Sequence, residues 1–202
     1  MKTLVLKKDN FLASLVIPLL LILIVFALSN ITHQTQSIEA TKTTQRTNSS
    51  SISELIQKGN TMLNSSKYEE ALVTFDQALK IDSRSVDALN GKGLIFNQLR
   101  KYEEAITWFD KALSIDPNFV DALNNKGVTL ANLGRYEEAI TWFDKALSID
   151  PNFVDALYNK GGALGELGRY EEAIVWTDKA LALEPADQND SNSNSNLLLP
   201  NE

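Results

Sequence analysis

The sequence predicts an all-α fold, a solenoid of antiparallel helix pairs with about eight helices, preceded by one N-terminal hydrophobic helix. Three observations lead there. Residues 102–127 and 136–161 agree at 25 of 26 positions, differing only at Asn124 against Tyr158, and a fixed spacing of 34 residues means a stacked array. Each period holds two apolar stripes of helical spacing separated by turn residues. Near the N-terminus, eighteen residues run without a charge. With 44% hydrophobic and 22% charged residues, most of the 202-residue chain can bury a core.

The first element is that uncharged run, residues 11–28, interrupted only by Ser14 and Pro18. Eighteen helical residues reach about 27 Å, enough for a bilayer core of about 30 Å. Lys2, Lys7 and Lys8 precede it within residues 1–10, a basic tail that stays cytoplasmic under the positive-inside tendency. Two readings fit. One is an uncleaved signal-anchor, giving a single-pass membrane protein with its repeats outside the cytoplasm. The other is a signal peptide cut near Ala27-Leu28-Ser29, giving a secreted protein. Residues 29–51 are rich in Ser, Thr, Gln and Asn without apolar periodicity and are expected to form a disordered polar linker. Asn30, Asn48 and Asn64 open glycosylation triplets that matter only if the chain is exported.

The repeats occupy residues 52–187, as units 52–85, 86–119, 120–153 and 154–187. In the third unit the first helix is expected over 120–133, with Leu123, Gly127 and Leu130 on one face. Gly134 suits the left-handed conformation that closes a helix. The second helix is expected over 136–149, with Tyr136, Ala139, Ile140, Phe143, Ala146 and Leu147 as its stripe. Pro151 then blocks continuation. Small residues at Gly127, Ala139 and Ala146 let the two helices approach closely.

These residues make the chain resemble the tetratricopeptide repeat family. The resemblance rests on Gly93, Gly127 and Gly161 in the first helices, and on Ala71, Ala105, Ala139 and Ala173 in the second. It rests further on Phe75, Phe109 and Phe143, on Ala78, Ala112, Ala146 and Ala180, and on Pro117, Pro151 and Pro185. It covers about two-thirds of the chain. Ser83 in place of a proline and Thr177 in place of an aromatic depart from it, both in terminal units.

The resemblance implies a right-handed superhelix whose first helices line a concave groove that binds an extended peptide or protein. First-helix residues off the core stripe are then the candidates: Asp87, Asn90, Asn97 and Gln98; Asp121, Asn124, Asn125 and Asn132; Asp155, Tyr158 and Asn159. An asparagine amide both donates and accepts, so a column of them can pair with a peptide backbone without reading its sequence. Asn125 and Asn159 resemble the asparagine ladder of some family members, although Gln57 and Gly91 take that place earlier. The alternative is that these asparagines only solvate a helix face. A basic clamp for C-terminal carboxylates is absent, since Asp87, Asp121 and Asp155 recur where a cation would sit. Lys92, Lys126 and Lys160 are expected to lay their stems along a neighbouring helix with the charge in water.

Other recurrent features have structural readings. Glu103-Glu104, Glu137-Glu138 and Glu171-Glu172 open second helices, where carboxylates favour the positive end of the helix dipole. Trp108, Trp142 and Trp176 form a stripe, read as packing between repeats or as an exposed ridge. The chain has no cysteine and one histidine, His33, far from any acidic cluster, so no catalytic residue, metal ligand or cofactor site is assigned. A net charge of −7 argues against nucleic acid as a partner. Residues 52–187 hold 14 basic and 22 acidic side chains, a net of −8, which favours a basic or neutral peptide.

Residues 188–202 are polar and low in complexity, an expected disordered tail without the periodicity of a capping helix. Leu197, Leu198 and Leu199 can fold back but cover little area. The flank of Leu164, Ile174 and Leu181 is therefore a candidate surface for self-association. The functional expectation is a protein–protein interaction scaffold, membrane-tethered or exported and not an enzyme. The alternative is a structural spacer or self-assembling element stacking through the uncapped last repeat.

Overall fold

The computed structural model describes residues 2–183, with side chains from Val25 onward. It divides into two units, Met1–Ser51 and Ile52–Glu202. The described residues form eight helices and no strand: α1 (Lys2–Asn64), α2 (Tyr68–Ile81), α3 (Val86–Gln98), α4 (Tyr102–Ile115), α5 (Val120–Asn132), α6 (Tyr136–Ile149), α7 (Val154–Glu166) and α8 (Tyr170–Leu181).

In the first unit, residues 29–51 are helical, where a flexible linker was expected. The stretch contains neither glycine nor proline, so nothing in it breaks a helix. Its hydroxyls also turn back on the backbone. Thr41 Oγ1 donates to the Ser37 carbonyl at 2.8 Å, and Thr43 and Thr44 bond the carbonyls of Glu39 and Ala40 at 2.9 Å. The side chains of the basic tail 1–10 and of residues 11–24 of the hydrophobic segment 11–28, and the whole tail 188–202, lie outside what the structure describes. No helix among the described residues is long and apolar enough to cross a membrane.

The second unit is the repeat array. The last part of α1, from residue 52, pairs with α2, and α3–α4, α5–α6 and α7–α8 follow as three more hairpins. Phe75, Phe109 and Phe143 are fully buried. A Cβ added at Gly127 would lie 2.5 Å from the Phe143 ring, so the ring holds that volume and any larger residue must displace it. In the last repeat Thr177 takes the ring's place, with its methyl 2.6 Å from the same construction at Gly161.

The turns explain the period. Positions 66, 100, 134 and 168 each have a φ between 58° and 75°, and glycine supplies this without strain at Gly134 and Gly168. The Arg135 amide donates to the Leu130 carbonyl and the Gly134 amide to the Ala131 carbonyl, both at 2.9 Å, closing α5. Between repeats the Asp116 and Asp150 carboxylates accept from the amides of Asn118 and Asn152 at 2.9 and 3.0 Å. Asp82 does the same for Arg84, so Ser83 preserves the turn without proline.

The lysines depart from expectation. Lys92, Lys126 and Lys160 retain only 10%, 11% and 10% side-chain exposure, so their ammonium groups are not in water. Lys92 Nζ donates to Asp76 of the preceding hairpin at 2.7 Å and lies 3.8 Å from the Trp108 ring centre. Lys126 repeats this with Asp110 and Trp142, and Lys160 with Asp144 and Trp176. A second lysine, Lys111 or Lys145, lies over the same ring. The physical reason is geometric: each first helix reaches an anion on one neighbouring helix and a π-face on the other, and together they replace the lost hydration. The tryptophans are half-buried and pack into the array.

Candidate functional site

The inner face follows from how successive hairpins touch. First helices of neighbouring repeats contact one another directly, α3 with α5 and α5 with α7, whereas second helices do not. The path along the first helices is therefore the shorter one, and they line the inner face of the stack.

Two clefts open on that face. One, of ≈ 390 Å³, is bounded by Asn132, Tyr158 and Asn159, with Tyr136 and Phe143 as its aromatic wall. The other, of ≈ 370 Å³, brings together Asp87, Asn90, Asp121 and Asn125 over Leu63 and Leu94. A third, of ≈ 470 Å³, extends the surface to Ile56, Gln57 and Asn60 beside Asp87. Residues 52–64 were not among the candidates. Their signal was the repeat frame itself, which assigns them to a first helix.

The asparagines do two things at once. Asn125 Nδ2 donates to Asn90 Oδ1 at 3.1 Å, and Asn159 Nδ2 donates to Asn124 Oδ1 at 2.9 Å. Asn97 Oδ1 accepts from Thr129 Oγ1 at 3.2 Å and from Asn132 Nδ2 at 3.3 Å. Asn90 and Asn124 are buried acceptors in these pairs, which leaves them little to offer a ligand. Asn125 and Asn159 are half-buried donors in these pairs, and each lines a cleft. Asn97, Asn124 and Asp155 border neither of the first two clefts.

Asp87, Asp121 and Asp155 recur once per repeat on exposed first-turn positions and have no ion pair among the described residues. The middle carboxyl feels the column most. Partial burial raises the Asp121 pKa above the ordinary aspartate value, and the charges of Asp87 and Asp155 raise it further. A cation placed along the column relieves both effects. Among the described residues, no three acidic or histidine side chains gather to hold a metal ion.

The aspartates Asp76, Asp110 and Asp144 were missed as partners of the buried lysines. Each stands sixteen residues before its lysine in every period, the one regularity that could have paired them.

Comparisons with known proteins agree with this architecture. Tetratricopeptide repeat family models match residues 120–153 and 142–175, and a TPR repeat model matches residues 93–134. No curated protein matches the chain. A structure titled for functional characterisation of Pseudomonas aeruginosa pilF is 27% identical with a TM-score of 0.64, aligning 68% of this chain with 63% of that one. A MamA RS-1 double mutant is 25% identical with a TM-score of 0.56, over 67% of this chain and 76% of that one. A crystal structure of MamA, at 23% identity and a TM-score of 0.57 over 65% and 77% of the two chains, shows the likeness of fold.

Proposed function

Residues 93–175 being tetratricopeptide repeats, we propose that the chain is a protein–protein interaction scaffold whose inner face holds an extended, positively charged peptide segment of a partner protein. The observation that carries this reading is the recurring Asp87, Asp121 and Asp155, which have no ion pair among the described residues, the first two lining the cleft edged by Asn125. The carboxylates attract cations along the groove. The side-chain amides of Asn125 and Asn159 bond the peptide backbone, and Tyr136 and Tyr158 offer aromatic surface to a side chain. The role is binding rather than catalysis.

The uncharged run 11–28 supports a membrane tether with the repeats outside the cytoplasm, or export after cleavage. Sizing the mature protein after carbonate extraction of membranes distinguishes the two. A retained band of full mass supports the anchor, and a soluble product lacking about its first 29 residues supports the signal.

The binding reading is tested by capturing extended Lys- and Arg-containing peptides on the wild-type chain and on an Asp87→Asn/Asp121→Asn/Asp155→Asn variant. Wild-type capture that weakens with salt and is lost in the variant supports it. Equal capture by both sinks it and favours the structural spacer, a reading to which the mutual pairing of the asparagines lends weight.

A further inference from the structure

The inner face changes character in the last repeat. On α7, Tyr158, Gly162 and Glu166 stand four residues apart and so follow one another along a single strip of the helix, and all three line the ≈ 390 Å³ cleft. One and two periods earlier the same strip reads Asn124, Val128, Asn132 and Asn90, Leu94, Gln98. In the last repeat, then, glycine replaces an aliphatic side chain at the middle of the strip, with a tyrosine before it and a carboxylate after it. A Cβ built at Gly162 meets nothing within 4 Å, so the space a valine or leucine takes in the earlier repeats is open here.

On the scaffold reading above, we propose that this gap seats one basic side chain of the bound peptide, lysine or arginine, with its stem over Gly162 against the Tyr136 and Tyr158 rings and its cation on Glu166. The array itself shows what suits such a place. Lys92, Lys126 and Lys160 each rest on an aspartate and lie 3.8, 3.8 and 3.5 Å from the centre of a tryptophan ring. A carboxylate and an aromatic face together replace the water that a cation gives up on burial. The cleft offers the same two partners, and no lysine or arginine of this chain lines it. Glu166 accepts a long hydrogen bond from Tyr136 Oη at 3.5 Å and has no ion pair among the described residues. The arginines that open and follow the neighbouring helices are held elsewhere, Arg135 on Glu138 and Arg169 on Glu172, both at 2.6 Å.

The cleft around Asp87, Asn90 and Asn125 is built differently. It holds Leu94 where this one holds Gly162, so its aspartates draw charge along the peptide without seating a single side chain. The two places are also apart. Glu166 lies eleven residues beyond Asp155 on α7, about 16 Å along the helix, so the seat can be removed while the aspartate column stays.

The test is capture of an extended nonapeptide of alternating lysine and serine by the full chain, by Gly162→Val, by Glu166→Gln and by the double variant. Valine stands at this position one repeat earlier and suits a helix better than glycine, so Gly162→Val is expected to melt no lower than wild type. It leaves the charge unchanged, yet capture is expected to weaken about tenfold, and Glu166→Gln is expected to weaken it about fivefold. In the double variant the loss is expected to equal that of Gly162→Val alone, because a side chain that cannot enter the gap no longer meets Glu166. Unchanged capture by Gly162→Val overturns the seat and leaves the scaffold reading standing. Losses that multiply in the double variant do the same, since Glu166 then acts only as a distant charge. No capture by the wild type overturns the scaffold reading and the seat with it.

Discussion

On the flank of the array, Lys92, Lys126 and Lys160 each withdraw an ammonium from water and place it between an aspartate and a tryptophan. On the inner face, Asp87, Asp121 and Asp155 keep exposed carboxylates with no ion pair among the described residues. Both sets repeat every 34 residues, so periodicity does not distinguish a fastening from a binding surface. The difference lies in satisfaction. The flank charges are neutralised within the protein and hold adjacent hairpins together, while the inner charges repel one another.

The comparison breaks first at the flank. Trp142→Ala is expected to cost about 2–4 kcal/mol, less than a fully buried tryptophan because the ring is half-buried, as read by denaturant unfolding. A change within error would make the flank an exposed ridge. Asp110→Asn leaves the Lys126 ammonium buried without its anion and is expected to cost about 1–2 kcal/mol, moderated by the half-exposed site of the carboxylate.

On the inner face, Asn125→Ala/Asn159→Ala removes two inter-repeat hydrogen bonds, for a loss of about 1 kcal/mol each, with the helical circular dichroism retained. Capture of a cationic peptide should weaken about tenfold or more, as two lost backbone contacts imply. If stability falls while capture does not, the asparagines are fastenings like the lysines and the two faces cease to differ.

Asp121→Asn should raise stability slightly at neutral pH. The raised pKa means that the folded chain holds the proton more tightly than the unfolded chain does. The ionised side chain therefore destabilises the fold above that pKa, and the penalty is relieved as pH falls toward the ordinary aspartate range. Wild type and variant should converge in acid. Cationic peptide binding should weaken over the same interval as Asp121 loses its charge. The smallest effect is expected from Arg135→Ala. Arg135 grips Glu138 through two hydrogen bonds of 2.7 and 2.6 Å, but both groups are exposed. The hydrogen bond from Arg135 lowers the Glu138 pKa, so whatever stability the pair gives is present at neutral pH and lost as acid protonates Glu138. A melting temperature unchanged within error is the expected reading.

Much of the architecture was legible residue by residue. The helix expected over 136–149 is α6, and that expected over 120–133 ends one residue earlier, at Asn132. Gly134 adopts the left-handed conformation its position demands. Eleven first-helix candidates were named, and seven line the two inner clefts. The remaining four, Asn97, Gln98, Asn124 and Asp155, lie on the first helices but line neither cleft. The helix through residues 29–51 was not legible, because a polar stretch without breakers lacks the apolar stripe from which a helix is read.

What the sequence by itself determined is the set of local and periodic features: four helix pairs, their turns, their small and large core positions, and an excess of acid. Spacing along a helix and the covalent limits of glycine and proline act within a few residues, so they can be read without knowing the fold. Only the tertiary structure decided what each repeated polar residue touches. Lys126 meets Asp110 sixteen residues back, and Asn125 meets Asn90 thirty-five residues back. Those meetings depend on how one hairpin lies on the next, and burial there decides whether a charge is held inside the array or stays exposed.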